Sequence, residues 1–525
     1  MPFAGPPSED VDSAAVSEGG AVAGPVVRIA PGAVRGMWRG KPGEPGASAA
    51  FFGIPFAKPP VGDLRFEAPE PPDPWDGVRD AVTYGPTPLR GPQPEVTLIP
   101  EPSVPGESTL NVNVFTPRPG DADAKLPVLV WIHGGGYIAG SPASPWYDGR
   151  AFNRDGIVTV SVSYRLGFDG FGHIDGAPAN RGVRDWIAAL EWVRDNIAAF
   201  GGDPGRVTIA GQSAGGGAVL TLLGLPAAQH LFHAAWSMSG ALGDVSRKRA
   251  EERADKLARL ANMAPTRSGF ASVDEEKLLA LQSDAASPES RNRLAAANLL
   301  LDEGPSWGPM VDGELLKQPT PDSIRDGVGA DKPLVLGATD DEFTMLLDRA
   351  RTSMRFVPAS LALSRLGLDR ARRRAYIAAN AEQHRKGNAA LVGRYVSDRA
   401  FRSTVVRVAA ARTAAKSDAP TWVYRFTWTS PTIGWACHCL DVPFWFDCLD
   451  AERVDALAGA EPPQALADAV HGAAVRLIRG EDPGWTPWSA RPGATRMFGA
   501  ASGPEVDPDG YASVRPLVAE EPPRR

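Results

Sequence analysis

The sequence predicts an α/β fold in which a mostly parallel central sheet is flanked by helices, and three observations carry that prediction. Strand-like and helix-like stretches alternate through the middle of the chain. The apolar run Leu126-Pro127-Val128-Leu129-Val130-Trp131-Ile132 ends in His133-Gly134-Gly135-Gly136-Tyr137, and Val207-Thr208-Ile209-Ala210 stops at Gly211-Gln212-Ser213-Ala214-Gly215, just before an apolar helical stretch at 218–223. Strand, helix, strand, helix in this order builds right-handed βαβ units, whose ligands lie beyond the carboxyl ends of the strands. Both the glycine loop and Ser213 sit at such ends.

The bulk numbers suit an ordinary large globular protein. Of 525 residues, 43% are hydrophobic and 22% charged, enough to bury a large core. A formal net charge of −7 offers no basic footprint for nucleic acid or an anionic membrane. Segment 1–24 is rich in Pro, Gly, Ser and acidic residues and lacks the cationic start and apolar centre of a secretory signal, so it is expected to be a disordered tail. Residues 25–525 are expected to form a single domain. No run approaches the length of a membrane span. The three cysteines, Cys437, Cys439 and Cys448, are an odd, clustered set rather than a disulfide framework, which fits a reducing cytoplasm.

Taken in order, Val26-Val27-Arg28-Ile29 and Ala49-Ala50-Phe51-Phe52 read as antiparallel edge strands, followed by a proline-interrupted stretch. Segment 85–107 is a long Pro-rich loop without period, of the kind that covers a pocket. A strand at 111–115, the buried strand at 126–132 and a β-branched strand at 158–164 come next. Val183, Trp186, Ile187, Leu190, Val193, Ile197 and Phe200 recur at helical spacing up to Gly201-Gly202. Strands are expected again at 234–238, 332–337 and 421–426, the last of the sheet, and a closing amphipathic helix carries Leu466, Val470, Ala474 and Leu477. Segments 242–331 and 343–420 read as helical insertions over the sheet.

The chemistry starts at Ser213. In a G-x-S-x-G turn the chain passes so sharply from strand to helix that the serine is strained and its hydroxyl pushed outward, and the first helical N–H, that of Ala214, points at the same place. Consecutive glycines let backbone N–H groups of the His133-Gly134-Gly135-Gly136 loop approach a ligand together. A serine hydroxyl needs a base, itself oriented by a third group. Of seven histidines, His438 best suits the order nucleophile, acid, histidine, because it follows a late strand in a loop between apolar segments. Asp340, Asp341 and Glu342 compete for the acid at one strand end, and charge alone does not choose.

Several ordered segments resemble one family. Phe52-Gly53-Ile54-Pro55-Phe56-Ala57-Lys58-Pro59-Pro60, Leu64-Arg65-Phe66, Trp131-Ile132-His133-Gly134-Gly135-Gly136-Tyr137, Ser163-Tyr164-Arg165-Leu166-Gly167, Leu190-Glu191-Trp192-Val193-Arg194-Asp195-Asn196-Ile197, Phe200-Gly201-Gly202-Asp203-Pro204 and Gly211-Gln212-Ser213-Ala214-Gly215-Gly216 are similar to type-B carboxylesterases, over about 27–487. The resemblance implies an α/β-hydrolase fold and a serine carboxylesterase acting on small-molecule esters through an acyl-enzyme, without cofactor or metal. It implies Ser213 as nucleophile, Glu342 as the acid, His438 as the base and Gly135, Gly136 and Ala214 as oxyanion donors. A carbamate or amide hydrolase with the same triad is the alternative, and a catalytically inactive binding relative is a third reading.

The chain also departs from the family's pattern. Phe343 replaces the glycine that usually follows the acid, and Thr87 and Thr109 replace two cysteines that often staple a surface loop. That loop has no tryptophan, so the seat for a quaternary ammonium is missing and choline esters are not expected. Cys437 and Cys439 flank His438 more tightly than structural zinc sites space their ligands.

Overall fold

Leu126–Ile132 is buried on both faces, and its alternation assigns each face a core. Val128, Val130 and Ile132 enter one hydrophobic cluster and Leu129 and Trp131 the other, all at 0% exposure. At about 1.5–3 kcal/mol for each large apolar side chain removed from water, this strand alone anchors two layers of helices. The computed structural model describes residues 24–44, 46–91, 98–287, 301, 304–499 and 505–518. The expected tail at 1–24 therefore lies, but for its last residue, outside the described residues.

Among the described residues the main sheet has eleven strands. In chain order they are β1 (Met37–Arg39), β2 (Ser48–Pro55), β3 (Asn111–Thr116), β4 (Leu126–Ile132), β5 (Val158–Val162), β6 (Gly202–Gln212), β7 (Ala234–Met238), β8 (Leu334–Thr339), β9 (Thr421–Phe426), β10 (Thr495–Phe498) and β11 (Val506–Asp507). Their spatial order is β1-β2-β3-β5-β4-β6-β7-β8-β9-β10-β11. From β5 to β10 every pairing is parallel, while β1, β2, β3 and β11 run antiparallel at the two edges. This is an α/β-hydrolase sheet. Register brings the carboxyl ends level: Ile132 pairs with Gly211, Gln212 with Met238, Met238 with Gly337, and Thr339 with Phe426.

Two expectations need correction. Thr421–Phe426 is not the last strand, because Thr495–Phe498 continues the sheet in parallel and Val506–Asp507 closes its edge. The segment 242–331 is not purely helical. Val245–Ser246 and Met310–Val311 pair as a short parallel ladder, and 288–300 and 302–303 lie outside the described residues. Between 343 and 420 the described elements are helices, and Leu363, Tyr376, Leu391 and Tyr395 join Leu517 in a small separate core. Near its end Asp398–Arg402 forms a π-helical turn, a distortion that re-aims side chains and often marks a functional site. No described helix is long and apolar enough to cross a membrane.

Candidate active site

Strand β6 delivers the serine. Ser213 takes φ 59° and ψ −122°, outside the range comfortable for a residue with a Cβ, between Gln212 and helix α1 (Ala214–Leu223). The turn closes only around small residues. A Cβ on Gly215 would lie 2.0 Å from the Ile132 carbonyl oxygen, and one on Gly211 would lie 2.5 Å from the Gly215 backbone. Ser213 N–H donates to Met238 O at 2.9 Å, and the Ser213 carbonyl accepts from Ala241 and Gly217. With the backbone thus pinned, the partly exposed side chain faces outward.

The glycine turn lies over this elbow. A Cβ on Gly134 would stand 3.1 Å from Ser213 Cβ, so the two loops are in contact. Gly135 and Gly136 adopt φ 111° and 62°, a region that favours glycine. Among the described residues the N–H groups of Gly135, Gly136 and Ala214 donate to no acceptor. Three such donors beside one hydroxyl can stabilise negative charge developing on a carbonyl oxygen.

The three adjacent carboxylates at the end of β8 separate cleanly. Asp340 is held by Arg402 at 2.8 Å and by Arg425 at 2.7 Å. Burial opposes its charge, yet the guanidinium groups of Arg425, Arg402 and Arg394 hold its carboxyl well below the usual range. Asp341 accepts from Arg394 and Gln383, each at 3.0 Å. Glu342, fully buried at φ 38°, turns the other way and accepts through Oε2 from His438 Nδ1. Its Oε1 accepts from Ser239 Oγ at 2.7 Å and from Thr339 N–H at 3.1 Å. The backbone reinforces the pairing, since His438 N–H donates to the Glu342 carbonyl at 3.0 Å.

His438 is 1% exposed and clamped by two aromatic rings, Phe343 at 4.4 Å and Phe401, carried by the π-helical turn, at 4.7 Å between centroids. Its Nε2 lies 3.2 Å from Gln212 Nε2, the side chain just before the serine. An amide nitrogen only donates, so Nε2 accepts and the proton sits on Nδ1, facing Glu342. Among the described residues Ser213 Oγ makes no hydrogen bond to His438; Gln212 holds that position in this structure.

Sequence reasoning missed Ser239, Gln212 as a partner of the imidazole, and Asp441. Buried Asp441, beside Glu342 and His438, is pushed up to about 7 by burial and by the Glu342 charge, and Tyr424 donates to its Oδ2 at 3.1 Å. Only a short polar residue after a buried strand marks Ser239 in the sequence. His133, in the glycine loop, is an inert counterpart: burial pushes it down to about 4, it stacks on Tyr164 at 4.5 Å, and its Nδ1 donates to Gly134 O. Burial also pushes the thiols of Cys437 and Cys448 up, to about 12 and beyond, and all three cysteines are unpaired. Among the described residues no group of three His, Cys, Asp or Glu side chains could hold a metal ion.

The sequence profile of the Carboxylesterase family matches residues 23–483. The chain belongs to the carboxylesterase family. The para-nitrobenzyl esterase of Bacillus subtilis (strain 168) is 33% identical over 448 residues, spanning 82% of this chain and 86% of that one. A liver carboxylesterase of Sus scrofa is 36% identical over 353 residues, 62% of this chain and 59% of its own. Among solved structures, a carboxylesterase of Geobacillus stearothermophilus superposes with a TM-score of 0.76 at 32% identity, covering 93% of this chain and 98% of that one. A para-nitrobenzyl (PNB) esterase superposes with a TM-score of 0.69 at 29% identity, covering 90% and 96%. The carboxylesterase likeness therefore spans both the sheet and the insertions.

Proposed function

We propose that this carboxylesterase hydrolyses small-molecule carboxylic esters through an acyl-enzyme formed on Ser213, in the cytoplasm. The observation that carries the reading is the buried Glu342–His438 pair, whose second ring nitrogen, Nε2, meets Gln212 at the strained serine elbow. As substrate enters, the Ser213 hydroxyl takes the place of the Gln212 amide on Nε2. Its oxygen then bonds to the ester carbonyl carbon while its proton passes to Nε2. The carbonyl oxygen becomes an oxyanion, stabilised by the N–H groups of Gly135, Gly136 and Ala214. Glu342 keeps the imidazolium oriented. Collapse of the tetrahedral adduct breaks the carbon–oxygen bond to the alcohol, which leaves with the Nε2 proton, and water repeats the cycle to release the acid.

Three unpaired, buried cysteines support a reducing compartment. The exposed Gly136 and partly exposed Ser213 support access by a small molecule. The test is hydrolysis of p-nitrophenyl butyrate by wild type and Ser213→Ala. A loss of about 10⁴-fold or more in kcat/KM is expected, and an unchanged rate overturns the assignment.

A further inference from the structure

We propose that Gln212, oriented by Cys439, is a positioning residue that keeps His438 neutral in the free enzyme and so sets the acid limit of its activity. The inference rests on the Ser213–His438–Glu342 reading above. Its basis is a directional chain of contacts: Cys439 Sγ lies 3.1 Å from Gln212 Oε1, and Gln212 Nε2 lies 3.2 Å from His438 Nε2. Burial keeps the Cys439 thiol protonated, so the sulfur brings a donor to the amide oxygen. The amide oxygen faces the thiol, and its nitrogen is thereby turned to the imidazole.

The consequence follows from counting protons. In this arrangement the amide hydrogens point at Nε2, which must supply a lone pair. Protonating Nε2 sets donor against donor. Relief requires the amide to turn over, so that its oxygen faces the ring and its nitrogen faces the thiol, and the S–H donor then loses its acceptor. The Cys439–Gln212 pair thus disfavours the imidazolium before substrate arrives. During the reaction the serine hydroxyl replaces the amide, so the imidazolium that forms there does not meet this opposition.

The other groups around the ring leave this effect visible. The acid loop presents Glu342, which favours the imidazolium. The ring's own loop presents the thiols of Cys437 and Cys439, both pushed up by burial, and Asp441, itself pushed up to about 7. Glu101 lies beyond Cys439 and is likewise raised by burial, while Phe343 and Phe401 bring only aromatic faces. Gln212 is the polar partner of Nε2 in this set.

The test is the pH profile of kcat/KM on p-nitrophenyl butyrate for wild type, Cys439→Ala, Cys439→Ser, Gln212→Glu and His438→Ala. Labelling by a fluorophosphonate at alkaline pH counts the competent sites of the first four. The acid limb of Cys439→Ala is expected to move to higher pH, lowering activity on that limb about threefold relative to its plateau. Gln212→Glu, which places a carboxylate beside the ring, moves the limb by one unit or more, about tenfold. Cys439→Ser restores a donor and returns the limb to the wild-type position. If one of the Cys439 variants does not fold, Gln212→Glu against wild type decides. Superimposed limbs with an inactive His438→Ala overturn this inference alone, and an active His438→Ala overturns the reading of the triad beneath it.

Discussion

Asp340 and Asp341 on one side, and Glu342 on the other, are chain neighbours in opposite electrical surroundings. The two aspartates meet Arg394, Arg402 and Arg425, which lock the second insertion and β9 onto the end of β8. Among the described residues Glu342 pairs with no arginine; it faces a hydroxyl, a backbone N–H and an imidazole. A carboxylate neutralised by guanidinium groups is spent on structure. One hydrogen-bonded to an imidazole is left to orient that ring. The contrast teaches that the end of one strand can act as both hinge pin and catalytic support, provided that backbone strain, here φ 38° at Glu342, turns consecutive side chains apart.

The largest effect expected from this division is at Glu342. Glu342→Gln should lower kcat/KM by about 10⁴-fold, the cost of presenting the wrong tautomer, with a melting temperature near that of wild type. Asp340→Asn should do the reverse. It strands Arg402 and Arg425 and should cost about 3–5 kcal/mol in urea unfolding, while activity per folded molecule stays within a few-fold. If both variants lost activity and stability alike, the division would fail.

A smaller effect sharpens the boundary. Ser239→Ala removes one donor to the Glu342 carboxylate and should lower kcat/KM about tenfold without changing the unfolding free energy of the arginine side. Asp441 supplies the finest test, through pH. Its folded carboxyl titrates at about 7 against about 3.9 when unfolded, so between those values the folded state holds a proton that the unfolded state has lost. Its contribution to stability therefore falls as pH rises from about 4 to about 7. Asp340, held low, contributes the opposite slope, and its stability is lost only as pH falls below about 4. Asp441→Asn should remove the decline, a difference of about 1 kcal/mol or less per pH unit, in urea melts at pH 5 and pH 7.

Much of this architecture was legible in the residues. Long apolar strands such as Leu126–Ile132 declare themselves because both faces are buried, and the serine turn declares itself because its glycines have no other use. The strands Thr495–Phe498 and Val506–Asp507 escaped because four and two residues carry no period, and their place depends on β9 alongside them. The start of helix α1 at Ala214 was legible from the serine turn alone, since the three glycines that follow are poor helix formers that close packing around the elbow requires. The choice among Asp340, Asp341 and Glu342 came from resemblance, since the arginines that separate them lie 54 to 85 residues downstream of Asp340. Gln212 was read as part of a motif, and its bond to His438 spans 226 residues.

The most direct measurement is the site of covalent capture. Reaction of the folded protein with a fluorophosphonate, followed by peptide mass spectrometry, should place one adduct on Ser213, with Glu342→Gln reacting far more slowly and Asp340→Asn at close to the wild-type rate per folded molecule. An adduct on another residue, or equal labelling of Glu342→Gln and wild type, would contradict the account.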